Sequence, residues 1–246
     1  MAGHSKWANI QHRKGRVDAA RGKLWSRLSK AIIIAAQSGG GDPSANHRLR
    51  KAIDDAKAVS MPKDNINRAI KRGTGELGGD RVEEVVYEGY GPGGVAVMCE
   101  TLTDNRNRTN PELKTIFSKN GGEIGKSGCV AYLFERKGTL LFDSTAADEE
   151  TLTEIALENG AEDVESVDDK IQVTCAPDAY LELSEAFKAK EIEAEMSQVG
   201  LVPTTTVDLD ADTAKKAVRL LQALDDHDDV QTVSTNLNIT DDILEE

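Results

Sequence analysis

The sequence predicts an α+β, multidomain chain: an N-terminal helical domain followed by two ferredoxin-like α/β domains, the third inserted in the second. Three observations lead there. Apolar residues recur at three- and four-residue steps through the first third. After Gly78-Gly79 the pattern changes to period two with β-branched residues. Residues 139–198 then scan as strand, helix, strand, strand, helix, strand, the ferredoxin-like order. At 246 residues the chain is long enough for two or three units with cores of their own. The boundaries read as 1–77, 78–136 joined with 200–246, and 137–199 as the insertion.

Leu24, Leu28, Ala31, Ile32 and Ala35 form one apolar stripe, which predicts a helix over Val17–Gln37 that ends at Gly39-Gly40-Gly41. Arg16, Lys23, Arg27 and Lys30 fall within about 60° of one another on the same wheel, a cationic ridge beside the stripe. A second helix follows Pro43-Ser44 and runs to about Val59, burying Leu49, Ile53 and Ala56. Arg50 with Asp54 and Lys51 with Asp55 stand at i,i+4 and predict self-neutralising pairs. A third helix starts at Pro62 and stops at Gly73, with Arg68, Lys71 and Arg72 in its last turn. A solvated face and a binding role are equally open for those three.

VEEVVYEGY and GVAVMCETL flank Gly91-Pro92-Gly93-Gly94 and predict a hairpin. A helix from Pro111 to Lys119 capped by Asn110 follows, then a strand CVAYLF at 129–134. Within the inserted unit the expected elements are TLLF, a helix at 148–159, EDVESV, KIQVTC, a helix at 178–189 and EIEAEMSQV. The tail adds a strand TTTVDL, a helix from Ala211 to Leu224 and a strand DVQTVSTNL, which complete the sheet begun at 82–134.

Charge is segregated. Residues 1–75 hold 16 Lys plus Arg against 5 Asp plus Glu, a net +11, so the remainder of a chain of net -13 carries -24. A cationic module aimed at a polyanion, on a body that a polyanion repels, follows from that division. The candidate nucleic-acid-binding residues are Lys6, His12, Arg13, Lys14 and Arg16 in the opening stretch and Lys23, Arg27 and Lys30 on the ridge. Arg106 and Arg108, in the donor-rich TDNRNRTNPEL segment, join them. For the opening stretch a solvated terminus and an organelle transit peptide are the competing readings, and Trp7 either stacks on a base or plugs into the helices.

Other classes receive no support. Cys99, Cys129 and Cys175 lack CxxC spacing, and His4, His12 and His47 lack ligand spacing, so no disulfide framework, metal site or cofactor is signalled. AIIIAA at 31–36 falls far short of the roughly 20 residues of a membrane span. NGGEIGKSG at 120–128 contains Gly-Lys-Ser but leaves a phosphate loop one residue short, with helix and strand in the wrong order. Nothing signals catalysis, and a cytoplasmic location is expected.

GHSKWANIQHRK, GGGDPSAN, RLRKAID, MPKDNINRAIKRG, YEGYGPGGVAVM, TDNRNRT, GCVAYLFERKG and DDVQTVSTN together resemble the YebC/PmpR family, over nearly the full chain. The family includes the mitochondrial translational activator of cytochrome c oxidase. The resemblance implies three domains, the third inserted within the second, and no catalytic residues. Bacterial members are commonly described as probable DNA-binding transcriptional regulators of the cytoplasm, which implies DNA as partner. Others associate with ribosomes and aid synthesis through consecutive prolines, which implies ribosomal RNA instead. A protein-interaction or ligand-sensing module, with a protein partner on the acidic domains, is the third reading. GGGDPSAN is too long for the 3–4-residue turn of a helix-turn-helix, which favours shape and phosphate recognition.

Overall fold

The computed structural model describes residues 21–167, 169–240 and 243. Lys6, Trp7, His12, Arg13, Lys14 and Arg16 lie outside them. Among the described residues the first three helices are α1 (Arg21–Gly39), α2 (His47–Ala58) and α3 (Lys63–Gly73). The hairpin β1 (Glu83–Tyr90) and β2 (Ala96–Thr103) follows, then α4 (Arg106–Lys119) and β3 (Glu123–Ile124). The remaining elements are β4 (Phe134–Asp143), α5 (Glu149–Glu158), β5 (Ala161–Val167), β6 (Lys170–Cys175), α6 (Tyr180–Ala189), β7 (Met196–Pro203), α7 (Ala211–Asp225) and β8 (Val230–Thr235). The fold is α+β, with two four-stranded sheets among the described residues.

The chain forms two compact units. One holds the described residues up to Cys129 with Lys216–Val233; the other is Val130–Lys215 with the residues from 234 onward. The second is thus an excursion from the chain of the first.

In the first unit α1 ends where expected, Gly40 taking the left-handed backbone (φ 83) that glycine adopts at no steric cost. Asn46 then joins two helices. Its Oδ1 accepts from Leu49 N at 3.0 Å, capping α2, and its Nδ2 donates to Ala35 O at 2.8 Å and Gly40 O at 2.9 Å, closing the end of α1. Gly73 lets α3 approach α1: a Cβ there would stand 2.6 Å from Ala36 Cβ and 2.6 Å from Ile33 O. Ile32, Ile33, Leu49, Ile53, Ile66 and Ala69 share one apolar cluster with Val82 and Leu102, so the core runs past residue 77 into the hairpin. The sheet has the order β3-β1-β2-β8, with Glu83 opposite Thr103 and Tyr90 opposite Ala96 in the antiparallel hairpin.

Several expectations need correction here. Lys51 pairs with Asp55 at 2.6 Å, but Arg50 turns back to the carbonyls of Pro43 and Ser44, and Asp54 takes Lys57 at 3.2 Å. Helix α3 starts one residue later than read, with Pro62 as its cap. Helix α4 starts five residues earlier than read, because Asn105 Oδ1 rather than Asn110 accepts the capping N–H, from Arg108 at 3.1 Å. Pro111 therefore sits inside the helix on an exposed face, where water can serve the carbonyl its missing N–H leaves unpaired.

The second unit has its sheet in the order β5-β6-β4-β7, all neighbours antiparallel, which is the ferredoxin-like arrangement. Leu140, Phe142, Ile171 and Val173 alternate toward α5 and α6 and pack on Leu152, Leu183 and Phe187. Residues 129–134 do not form a separate strand. Ala131–Leu133 is one 3-10 turn, and β4 runs unbroken for 10 residues because it has β7 on one side and β6 on the other. Strand β7 begins at Met196 rather than 191, and TTTVDL supplies only an isolated bridge between Val207 and Leu237.

Candidate nucleic-acid interface

The first unit contains every described candidate. Lys23, Arg27 and Lys30 do share one face of α1, but that face meets the turn 225–229 at the end of α7. Lys23 Nζ donates to Asp226 O at 2.9 Å, Arg27 Nη1 lies 3.4 Å from Asp225 Oδ1, and Lys30 Nζ donates to Asp228 O at 3.0 Å and to the Asp229 carboxylate. Carbonyls at a helix C-terminus lack intrahelical partners and carry partial negative charge, so amines reaching them are favoured.

Asp229 is the hub of this arrangement, 1% exposed. Besides Lys30 it accepts from Arg108 Nη2 at 2.7 and 3.0 Å and from the Thr109 hydroxyl. Burial pushes its carboxyl up, but the hydrogen bonds from Lys30, Thr109 and Arg108 overcome that and hold it well below the usual carboxylate range. The same hydrogen bond, donated to Asp229, raises the Arg108 guanidinium above its ordinary value. Arg106 is placed differently, 2.8 Å from Glu83 with both side chains half-exposed. Arg106 and Arg108 therefore stand on the first turn of α4 rather than in a loop.

A cleft of about 940 Å³ opens over the network. Lys23, Lys30, Arg72 and Arg108 line it, but so do five carboxylates, so its charge balance does not favour a polyanion. Glu112, His227 and Asp229 approach one another within 4.8 Å there. Two of the three are already engaged: Asp229 by Lys30, Arg108 and Thr109, and His227, whose Nδ1 accepts from Asp229 N at 3.1 Å, which leaves Nε2 as the protonated nitrogen 3.0 Å from Glu112. The arrangement is a hydrogen-bonded strut.

The Gly-Lys-Ser segment follows β3 and leads to the 3-10 turn Ala131–Leu133. Gly128 N donates to Glu88 Oε1 at 2.6 Å, so a carboxylate of the same chain occupies the loop. A second concavity, about 860 Å³, is floored by Ile53, Met61, Ile66 and Ile70.

Helix α3 is the contrast to the ridge. Lys63, Asn67, Arg68 and Lys71 are exposed, and among the described residues no hydrogen bond or ion pair engages the side-chain charge of Lys63, Arg68 or Lys71, although Lys71 O accepts from Thr74 and Leu77. Arg72, by comparison, is held 3.2 Å from Asp104. Sequence reasoning passed over both Asp225–Asp229 and Lys63. The acidic run DDHDD opposite a cationic helix of the same chain was the available signal.

Comparison with known proteins fits this architecture. The family pattern for the TACO1/YebC N-terminal domain matches residues 5–76, and that for the second and third TACO1/YebC domains matches 82–237. The chain belongs to the TACO1/YebC family. A probable transcriptional regulatory protein of Rhodopirellula baltica is 70% identical to this TACO1/YebC chain over 239 residues, 97% of each. One of Maridesulfovibrio salexigens, with the same description, is 52% identical over 246 residues, 100% of this chain and 99% of the relative. The crystal structure of a conserved hypothetical protein from Aquifex aeolicus, 47% identical, superposes with a TM-score of 0.85 over 94% of this chain and 96% of that one. Among the described residues of this TACO1/YebC protein no helix is long and apolar enough to cross a membrane.

Proposed function

We propose that this chain is a non-enzymatic regulator of gene expression that works by binding DNA. The carrying observation is the charge segregation, 16 basic against 5 acidic residues in 1–75 on a chain of net charge -13. Such a division attracts a polyanion to one end and repels it from the other, fixing both site and orientation. The description of the relatives as probable transcriptional regulatory proteins supports the regulatory half of the reading. The basic block Lys6, His12, Arg13, Lys14 and Arg16 contributes phosphate contacts in this proposal, while Lys23, Arg27 and Lys30 contribute through the fold they hold.

The test is binding of the full chain to duplex DNA as salt is varied. Contact with six to eight phosphates predicts a fall in affinity of about a thousand-fold or more between about 50 and 200 mM salt. A flat salt response rejects the proposal. Crosslinking in cells followed by sequencing then separates the two nucleic acids: promoter fragments support it, and ribosomal RNA alone replaces it with a translation role.

A further inference from the structure

Once the α1 ridge is committed to the turn 225–229, the described part of the first unit still presents a cationic surface on a regular element, α3. Helix α3 shows Lys63, Asp64, Asn67, Arg68 and Lys71 to solvent on one face, while Ile66, Ala69 and Gly73 on the other face the core and α1. Three cations against one carboxylate leave that face positive. Resting on the nucleic-acid reading above, we infer that α2, the turn 59–62 and α3 form a helix-turn-helix, and that α3 reads the major groove of duplex DNA.

The connection that sequence reasoning judged too long is the one between α1 and α2. The next junction, Val59-Ser60-Met61-Pro62, has the 3–4 residues the motif uses. Ser60 adopts a left-handed backbone there (φ 57), at a place where such turns often use glycine. Met61 is buried just after it and ties the turn to the core. Helix α1 packs along both α2 and α3, bracing the pair as a recognition helix requires.

Dimensions and chemistry agree. Lys63 to Lys71 spans eight residues, about 12 Å at 1.5 Å each, against a major groove about 12 Å wide. Asn67 has the paired donor and acceptor that match adenine N6 and N7, and Arg68 has the donor fork that matches guanine O6 and N7. Asp64 is limited to accepting, which suits the amino group of cytosine. Lys63 and Lys71 at the two ends reach phosphates and set the register. The deep, narrow major groove of A-form RNA excludes this mode, so duplex DNA is the occupant.

The experiment uses the full chain, a duplex library with about 20 randomised base pairs as probe and a structured ribosomal-RNA fragment beside it. Wild type should enrich a short motif. Asn67→Ala and Arg68→Ala should each relax selection at one position of it, losing about 5- to 150-fold against the preferred base. Lys63→Ala with Lys71→Ala should weaken all duplexes alike and lower the salt slope by about two. These are surface changes, so an unaltered unfolding midpoint should accompany them. If wild type binds duplex DNA with a steep salt slope and none of the four substitutions alters affinity or motif, the inference is overturned while the DNA reading stands. Binding to the RNA fragment alone, or to neither probe, overturns both.

Discussion

Lys30 and Asp229, 199 residues apart in the chain, form an ion pair whose carboxylate is 1% exposed. With Arg108 and Thr109 on the same carboxylate, a residue that looked like a phosphate ligand is a fastening between α1, α4 and the α7–β8 turn.

Asp229→Asn should therefore cost stability, because it leaves Lys30 with no anion in a largely buried place. Breaking a buried pair typically costs 3–5 kcal/mol, and the half-exposed Arg108 can rehydrate, so about 2–4 kcal/mol is expected in urea unfolding. The pH response has a definite sign. The folded Asp229 ionises well below its unfolded value near 4, so its contribution is complete above that value and is lost as pH falls below it. Asp143, lowered chiefly by its hydrogen bond from Lys170, has the same sign. The Asn variant should thus show a shallower, not absent, loss of stability with acid below about pH 4.

Charge reversal separates fastening from binding. Lys30→Glu places a carboxylate against Asp229 and should destabilise by about 3 kcal/mol or more. Arg68→Glu, on the exposed face of α3, should stay within about 0.5 kcal/mol of wild type in unfolding and weaken duplex DNA binding instead. Paired urea titration and anisotropy measurements on the two variants check this directly. Equal stability of Lys30→Glu and wild type would contradict the fastening role.

How far the residues themselves announced this architecture differs by element. The apolar steps Leu28, Ile32, Ala35 and the hairpin glycines act locally, through backbone geometry and one buried face, so α1, the hairpin and the βαββαβ order were legible. Boundaries failed where two residues competed for one role. Asn105 and Asn110 are both helix caps by chemistry, and Thr103 Oγ1, accepting from Asn105 N at 2.9 Å, fixes the turn at the earlier one. The site was less legible, because a helical wheel places Lys23, Arg27 and Lys30 on one face without saying what that face meets. Their partners lie some 200 positions on, in a run of acids that composition alone made unremarkable.

Asn46→Ala removes a helix cap and the donors to two carbonyls at the end of α1. A loss of about 2 kcal/mol is expected, a cap alone being worth about 0.5–2. Asn46→Asp should lie between wild type and Ala, since it keeps the cap while losing both donors. Thermal and urea unfolding of the three proteins would rank them.

Gly73→Ala tests the approach of α3 to α1. Its new methyl would meet the backbone of Ile33 and the side chain of Ala36 at 2.6 Å, so α3 must shift. Overpacking of that kind costs about 1–3 kcal/mol, despite the better helix propensity of alanine. An unchanged or raised urea midpoint would show that the two helices have slack.

The excursion of Val130–Lys215 out of the first unit also sets an order of events in time. At about 5–20 residues per second of synthesis, Lys30 waits about 10–40 s for Asp229 to be made. Over that interval β4, β5, β6 and β7, which among the described residues pair only with one another, are completed. The sheet of the unit begun second is the first that can close, and the unit begun first waits for residues 216–233, made after that sheet.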